Sequence, residues 1–112
     1  MQTTFDLPAY RNRIGWHAAP RIDLATLASV LAAHMHAIPF ENLDVLLGRA
    51  ISLELSAVQS KLVAARRGGY CFEHAALFAG ALEALGFAPR RHIARVVVIT
   101  PRDLAPRTHA FV

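Results

Sequence analysis

Apolar residues recur at three- and four-residue intervals along most of the chain, the spacing of one helix face. Leu7, Tyr10 and Ile14 share such a face. Asp6 is placed to cap that helix, Pro8 lies in its first turn, and Gly15 stands just past its end. A second helix is predicted over 23–38, with Leu24, Leu27, Leu31, Met35 and Ile38 as its stripe and Pro39 as its stop. A third is predicted over 55–66, with Leu55, Val58, Leu62 and Ala65 as its apolar positions. Lys61, Arg66 and Arg67 lie in or near its last turns, where positive charge is favoured, and Gly68 fits the position just past the end. A fourth is predicted over 71–85, with the stripe Ala75, Phe78, Leu82 and Leu85, and Gly86 ends it. Cys71 lies on that stripe one turn before Ala75, so its thiol is expected to face the other elements. After Gly86 the period changes. Residues 91–99, rich in β-branching at Val96, Val97, Val98 and Ile99, read as a strand. Residues 101–106 read as a turn, and 108–112 as the start of a returning strand. The expected class is α+β, with a helical bundle domain over 1–86 and a sheet domain beginning over 87–112.

Two connections stand out. Pro39-Phe40-Glu41-Asn42-Leu43-Asp44 reads as a loop, either packed by Phe40 and Leu43 or bringing Phe40 and Glu41 to a pocket. Gly68-Gly69 holds one glycine more than a helix end requires. The extra one predicts a close backbone approach by another element or a ligand.

Composition narrows the class. With 54% hydrophobic and 18% charged residues in 112, the chain can build a core and is no candidate for disorder; it is one domain or a portion of a larger one. The net charge of +4 is partly clustered at Arg66, Arg67, Arg90, Arg91 and Arg95. It suits an anionic ligand such as a nucleotide-bearing cofactor, and equally an ordinary basic surface. No recognition helix or aromatic–basic interleaving points to nucleic acid. No apolar run reaches the roughly 18 residues a membrane span needs, and residues 1–6 lack a signal-peptide pattern. A single cysteine closes no internal disulfide and survives best in a reducing compartment. A cytoplasmic location away from membranes is expected.

A lone cysteine is most often a small buried hydrophobe. Cys71 departs from that pattern in its surroundings: it opens a helix, where unpaired N–H groups favour a thiolate, and Arg67 is close by. A nucleophilic cysteine needs a base, and usually a third group to orient that base. The chain has six histidines. His74 lies about one turn along the same helix, which rarely aims an imidazole at the thiol. His17, His34 and His36 reach Cys71 only through tertiary structure. His34 and His36 are two apart, share no face, and in their positive forms suit the helix C-terminus; without an acidic or cysteine ligand nearby, no metal site is expected there. His92 lies on the first strand. His109 lies on the returning strand, which a hairpin can carry above the start of the fourth helix. For the orienting group, Asp103 falls in the hairpin turn, while Glu41, Asn42 and Asp44 are better placed. Glu41 is expected instead to pair with one of the arginines before the glycines, as a buried structural ion pair.

Four blocks carry a family resemblance: Tyr10-x-x-Arg13-Ile14-Gly15, Pro39-Phe40-Glu41-Asn42-Leu43, Arg67-Gly68-Gly69-Tyr70-Cys71-Phe72-Glu73 and Arg107-Thr108-His109. In this order, and over nearly the whole chain, they resemble the arylamine N-acetyltransferase family. The resemblance implies a cytoplasmic enzyme moving an acetyl group from acetyl-CoA to small aromatic amines or hydrazines, without a metal. It implies Cys71 as the acetyl-accepting nucleophile, His109 as its base, and Phe40 as a pocket aromatic touching the acceptor. Glu41 and Arg67 match a structural pair, and Gly68 and Gly69 the glycines shaping the approach to the cysteine. The family fold is a helical bundle, then an antiparallel β-barrel, then a lid, so the chain is expected to hold the bundle and an incomplete barrel. The family's Cys-His-Asp aspartate lies on the strand after the histidine, past Val112. One expectation is thus an N-terminal portion, inactive alone. A second is a short enzyme completed by another chain, or by self-association through an exposed β edge. A third is a non-catalytic basic helical binding protein derived from that fold.

Overall fold

The computed structural model describes residues 5–95, 103–104 and 107–112. Its elements are α1 (Leu7–Ile14), α2 (Leu24–Ala37), α3 (Leu43–Leu46), α4 (Leu55–Gln59), α5 (Cys71–Leu85), β1 (His92–Arg95) and β2 (Arg107–Phe111). The start of α1 is built from the expected cap, Asp6, whereas Asp23, expected as the first residue of the second helix, is the cap before it. The Asp6 carboxylate accepts the Ala9 N–H at 3.1 Å, and the Asp23 carboxylate accepts the Thr26 N–H at 2.8 Å. Gly15 and Gly86 close α1 and α5 in left-handed conformations.

The core lies where α1, α2, α4 and α5 meet, around Tyr10, Ile14, Val30, Ile38, Val58, Leu62 and Leu77. Helix α5 is central and buried on nearly every side, because its alanines and Gly80 let neighbours come close. A Cβ on Gly80 would stand 2.8 Å from the Leu55 side chain.

Helix α2 differs from its sequence pattern. The residues it buries are Thr26, Val30 and His34, with Ile38 just beyond its end, whereas Leu24 and Met35 are exposed. The packed face carries polar groups that find partners inside: Trp16 Nε1–H donates to Ser29 Oγ at 3.0 Å, and Tyr10 bonds His34 at 2.7 Å. Leu27, Leu31 and Met35 of the stripe line a cavity instead. A run of apolar residues at helical spacing marks a surface that avoids water, and a cavity wall satisfies that pattern as well as a core does.

The predicted third helix is also interrupted. After α4 the backbone continues as a π-helical turn, Ser60–Ala64. Arg66 then adopts the left-handed conformation at φ 56°, the place expected for Gly68. The Leu62 carbonyl accepts from buried Arg13 Nε at 2.7 Å, and Arg13 also donates to the Ala37 carbonyl at 2.9 Å. Arg13 thus satisfies carbonyls at two helix ends, which accounts for a buried arginine in α1. The loop read over 39–44 runs into one helical turn, α3, held by the ion pairs of Asp44.

β1 and β2 pair antiparallel, with His92 opposite Phe111, Ile93 opposite Ala110 and Ala94 opposite His109; an irregularity between Ala94 and Arg95 then shifts the register by one, so that Arg95 pairs with Arg107. The predicted Val96, Val97, Val98 and Ile99 lie outside the described residues, as does most of the predicted turn. The described sheet has two strands, and β2 packs on α5. No described helix is long and apolar enough to cross a membrane.

Candidate active site

The glycine pair sits where two segments press together. The Gly69 N–H donates to the Pro39 carbonyl at 3.3 Å, and the Glu41 N–H donates to the Gly69 carbonyl at 2.8 Å, forming a short parallel bridge between Phe40 and Gly69. A Cβ on Gly68 would run into the Pro39 carbonyl oxygen, and one on Gly69 would lie 2.9 Å from Glu73 Cβ. Neither position has room for a side chain. The close approach expected from the second glycine is thus made by the protein's own 39–41 segment and by Glu73.

A charge cluster braces this crossing. Arg67 pairs with Glu41 and, at 3.2 Å, with Asp44; Lys61 lies 2.8 Å from Asp44 and 2.9 Å from Glu73. The expected partner of Glu41 is therefore Arg67, but the pair is not buried: the two side chains keep 36% and 20% of their exposure, because the 39–44 segment crosses the protein surface. The desolvated member is Glu73, at 2%. Hydrogen bonds from Lys61 and Arg67 hold the Asp44 carboxyl below its ordinary range, and those to Glu41 and Asp44 raise Arg67. Burial pulls Lys61 down, yet Asp44 and Glu73 outweigh it and the net shift is upward. Glu73 also accepts the Tyr70 N–H at 3.2 Å, a side chain reaching back over the start of α5. Of this cluster the sequence reading anticipated the Glu41 pair, but not Lys61. The capping spacing Tyr70-x-x-Glu73 was the available signal; no local pattern announces the ion pair across twelve residues.

In front of the crossing lies a cavity of about 750 Å³, bounded by α2, the Ile38–Phe40 exit, α5, the segment after Gly86, and β2. Most of its wall is apolar, and the two sequence stripes face it: Leu27, Leu31 and Met35 from α2, and Ala75, Phe78 and Leu82 from α5. Cys71, half-buried as the first residue of α5, lines it. So do Phe40 and His109, both exposed. The structure thus brings Cys71, His109 and Phe40 to one cavity and sets Glu41, Arg67, Gly68 and Gly69 behind its wall. His17, His36 and His92 are not in the lining, and neither is Asn42, Asp44 or Asp103. Among the described residues the lining holds no carboxylate, and no group of three or more His, Cys, Asp or Glu is arranged to hold a metal ion.

Two further histidines line the cavity. His34 Nε2 lies 2.9 Å from His74 Nδ1, and His34 Nδ1 lies 2.7 Å from the Tyr10 hydroxyl. Burial, with His74 and Arg13 beside it, pushes His34 down to about 3 from an ordinary 6.5. The positive form expected at this helix end is therefore disfavoured, since desolvation outweighs the dipole. The unfolded chain binds this proton below 6.5 while the folded one resists it until about 3. Stability from this group is thus present above the upper value and lost as pH falls through the interval, at up to about 1.4 kcal/mol per pH unit. Denaturant midpoints measured from neutral pH downward should fall accordingly, and His34→Gln should flatten that slope by one proton. Equal slopes in the two proteins would show that His34 is not the linked group.

With this geometry in view, comparison with known proteins is informative. A family model described as N-acetyltransferase matches residues 23–112. The arylamine N-acetyltransferase of Escherichia coli K12 is 48% identical over 100 residues, covering 89% of this chain and 36% of that protein. The crystal structure of Nocardia farcinica arylamine N-acetyltransferase superposes with a TM-score of 0.87 at 50% identity, over 94% of this chain and 37% of the other. That of the Mycobacterium marinum enzyme in complex with CoA gives 0.86 at 42% identity, over 94% and 40%. The chain therefore spans well under half the length of the relatives it matches. Over that span the order of elements and the sequence agree together, and the chain belongs to the arylamine N-acetyltransferase family.

Proposed function

We propose that this chain carries the acetyl-accepting site of an acetyl-CoA:arylamine N-acetyltransferase working by a ping-pong route. The observation that carries the reading is the convergence of Cys71, at the first turn of α5, with His109 and Phe40 on one apolar cavity. The Cys71 thiol loses its proton to His109 as its sulfur attacks the thioester carbonyl carbon. The new carbon–sulfur bond forms, the bond to CoA sulfur breaks, and CoA leaves as the thiol. An arylamine nitrogen then attacks the acetyl-cysteine; His109, having passed the first proton to the departing CoA sulfur, takes the amine proton and hands it to the Cys71 sulfur as the amide is released. Backbone N–H groups at the start of α5 are the nearest donors for the tetrahedral oxyanion. The apolar walls and Phe40 suit a flat aromatic acceptor. The CoA held by the Mycobacterium marinum relative supports the donor. The family's third catalytic group, an aspartate on the strand after the histidine, belongs to this reading, and so do the barrel and the division into domains at about residue 86.

Intact-protein mass spectrometry after incubation with acetyl-CoA tests the first half-reaction. A gain of about 42 Da, the replacement of hydrogen by acetyl, is expected on the peptide bearing Cys71, and an arylamine should discharge it. A folded chain that takes up no acetyl group would rule out a short enzyme and leave the portion inactive alone and the non-catalytic protein.

A further inference from the structure

A hydrogen-bonded chain runs from the core to the cavity wall and ends on the backbone beside Cys71. The Tyr10 hydroxyl lies 2.7 Å from His34 Nδ1, His34 Nε2 lies 2.9 Å from His74 Nδ1, and His74 Nε2 lies 3.0 Å from the Pro39 carbonyl oxygen. A carbonyl oxygen only accepts, so His74 carries hydrogen on Nε2. With both rings neutral, His74 Nδ1 is then an acceptor, and His34 donates to it from Nε2. His34 Nδ1 in turn accepts the Tyr10 hydroxyl hydrogen. This one arrangement of hydrogens satisfies every polar atom along the chain, and no buried side-chain nitrogen or oxygen among the described residues lacks a partner.

The last acceptor gives the chain its use. The Pro39 carbonyl oxygen also takes the Gly69 N–H, and it occupies the space where a Gly68 side chain would stand. Phe40 follows it directly, and the next N–H, that of Glu41, returns to the Gly69 carbonyl. One carbonyl thus joins the loop that presents Phe40 to the segment that leads into Cys71. Its hydrogen bonds from Gly69 and His74 fix its direction from two sides.

We propose that Tyr10, His34 and His74 are positioning residues that orient the Pro39 carbonyl and so hold Phe40 and the Gly68–Cys71 lead-in at one mutual geometry in the cavity. The acceptor-only Pro39 carbonyl sets the His74 tautomer, His74 sets that of His34, and Tyr10, held by core packing, anchors His34 by donating to its Nδ1. The consequence for turnover rests on the acetyl-transfer reading, whereas the tautomers and the loop geometry do not.

Nitrogen NMR of histidine-labelled protein at neutral pH should show His34 and His74 both protonated at Nε2 and bare at Nδ1. An Nδ1–H tautomer at either ring would overturn the ordering. Two variants test the mechanical claim. His74→Gln keeps an amide donor near the position of Nε2, and His74→Phe keeps a ring without one. Amide hydrogen exchange at Gly69 and Glu41 should rise about tenfold in His74→Phe and less than about threefold in His74→Gln. Equal exchange in the two variants, or no change in either, would sink the proposal. In turnover, His74→Phe should raise the acceptor KM about tenfold, and His74→Gln less than about threefold. An unchanged acceptor KM would break the link from the carbonyl to Phe40. A parent protein that takes up no acetyl group would overturn the acetyl-transfer reading alone, because the tautomer and exchange results still decide the positioning claim.

Discussion

Cys71→Ala is expected to abolish acetyl uptake and to lower arylamine acetylation by at least about 10⁴-fold. The chain has one cysteine, so no neighbouring thiol can take over. Serine at this position would fare little better, since a hydroxyl is a far weaker nucleophile unless strongly activated. Alanine is the cleaner test, because the site is half-buried at the cavity wall beside Ala75 and the loss of one sulfur leaves the packing of α5 nearly intact. The loss should therefore appear with a melting curve close to the parent's. Mass spectrometry gives the direct check, as the about 42 Da gain should vanish from the Cys71 peptide and appear nowhere else. An acetyl group carried on another residue, or turnover above about one part in a hundred, would refute the nucleophile assignment.

The second large effect is on stability. Glu73→Ala is expected to cost about 3–5 kcal/mol, the cost of breaking a buried pair by removing one partner. Three things are lost together. The Lys61 ammonium, whose side chain is only 14% exposed, keeps Asp44 but loses the carboxylate at 2.9 Å. The Tyr70 N–H loses its acceptor at 3.2 Å. The space over Gly69, filled by the Glu73 side chain, is left empty. Glu73→Gln retains the packing and an oxygen for the Tyr70 N–H, so it should cost less than the alanine change. Urea denaturation of the two variants measures both terms. A loss below about 1 kcal/mol for Glu73→Ala would mean that water replaces the carboxylate freely and that the cluster does not brace the site.

Parts of this site were legible in the chain. Local signals sufficed for Asp6 as a helix cap, for Cys71 at a helix start, and for a close approach at Gly68-Gly69, because each depends on a few consecutive residues. Pairing of Glu41 with an arginine was also anticipated, though its partial exposure was not. Other features left no such mark. The π-helical turn after α4 and the left-handed Arg66 have no local signature, and the Leu62 carbonyl in that turn takes its donor from Arg13, far away in the chain. The neutral state of His34 depends on burial, and a histidine at a helix end looks the same in sequence whether water reaches it or not.

The apolar stripes make the division plain. By itself the sequence determined that α2 and α5 each carry a water-avoiding face and that Cys71 shares the one on α5, because helical periodicity alone decides which side chains lie on the same side. Only the tertiary structure decided that these faces border a cavity, that of α2 largely exposed to it and that of α5 buried in its wall. That outcome rests on long-range contacts: the polar partners that turn Val30 and His34 inward, the bridge between Phe40 and Gly69, and a hairpin that brings His109 back across α5. Residue spacing fixes direction about one helix axis, whereas a site needs several axes fixed against one another. Packing, ion pairs and the hydrogen bonds at the Pro39 carbonyl do that.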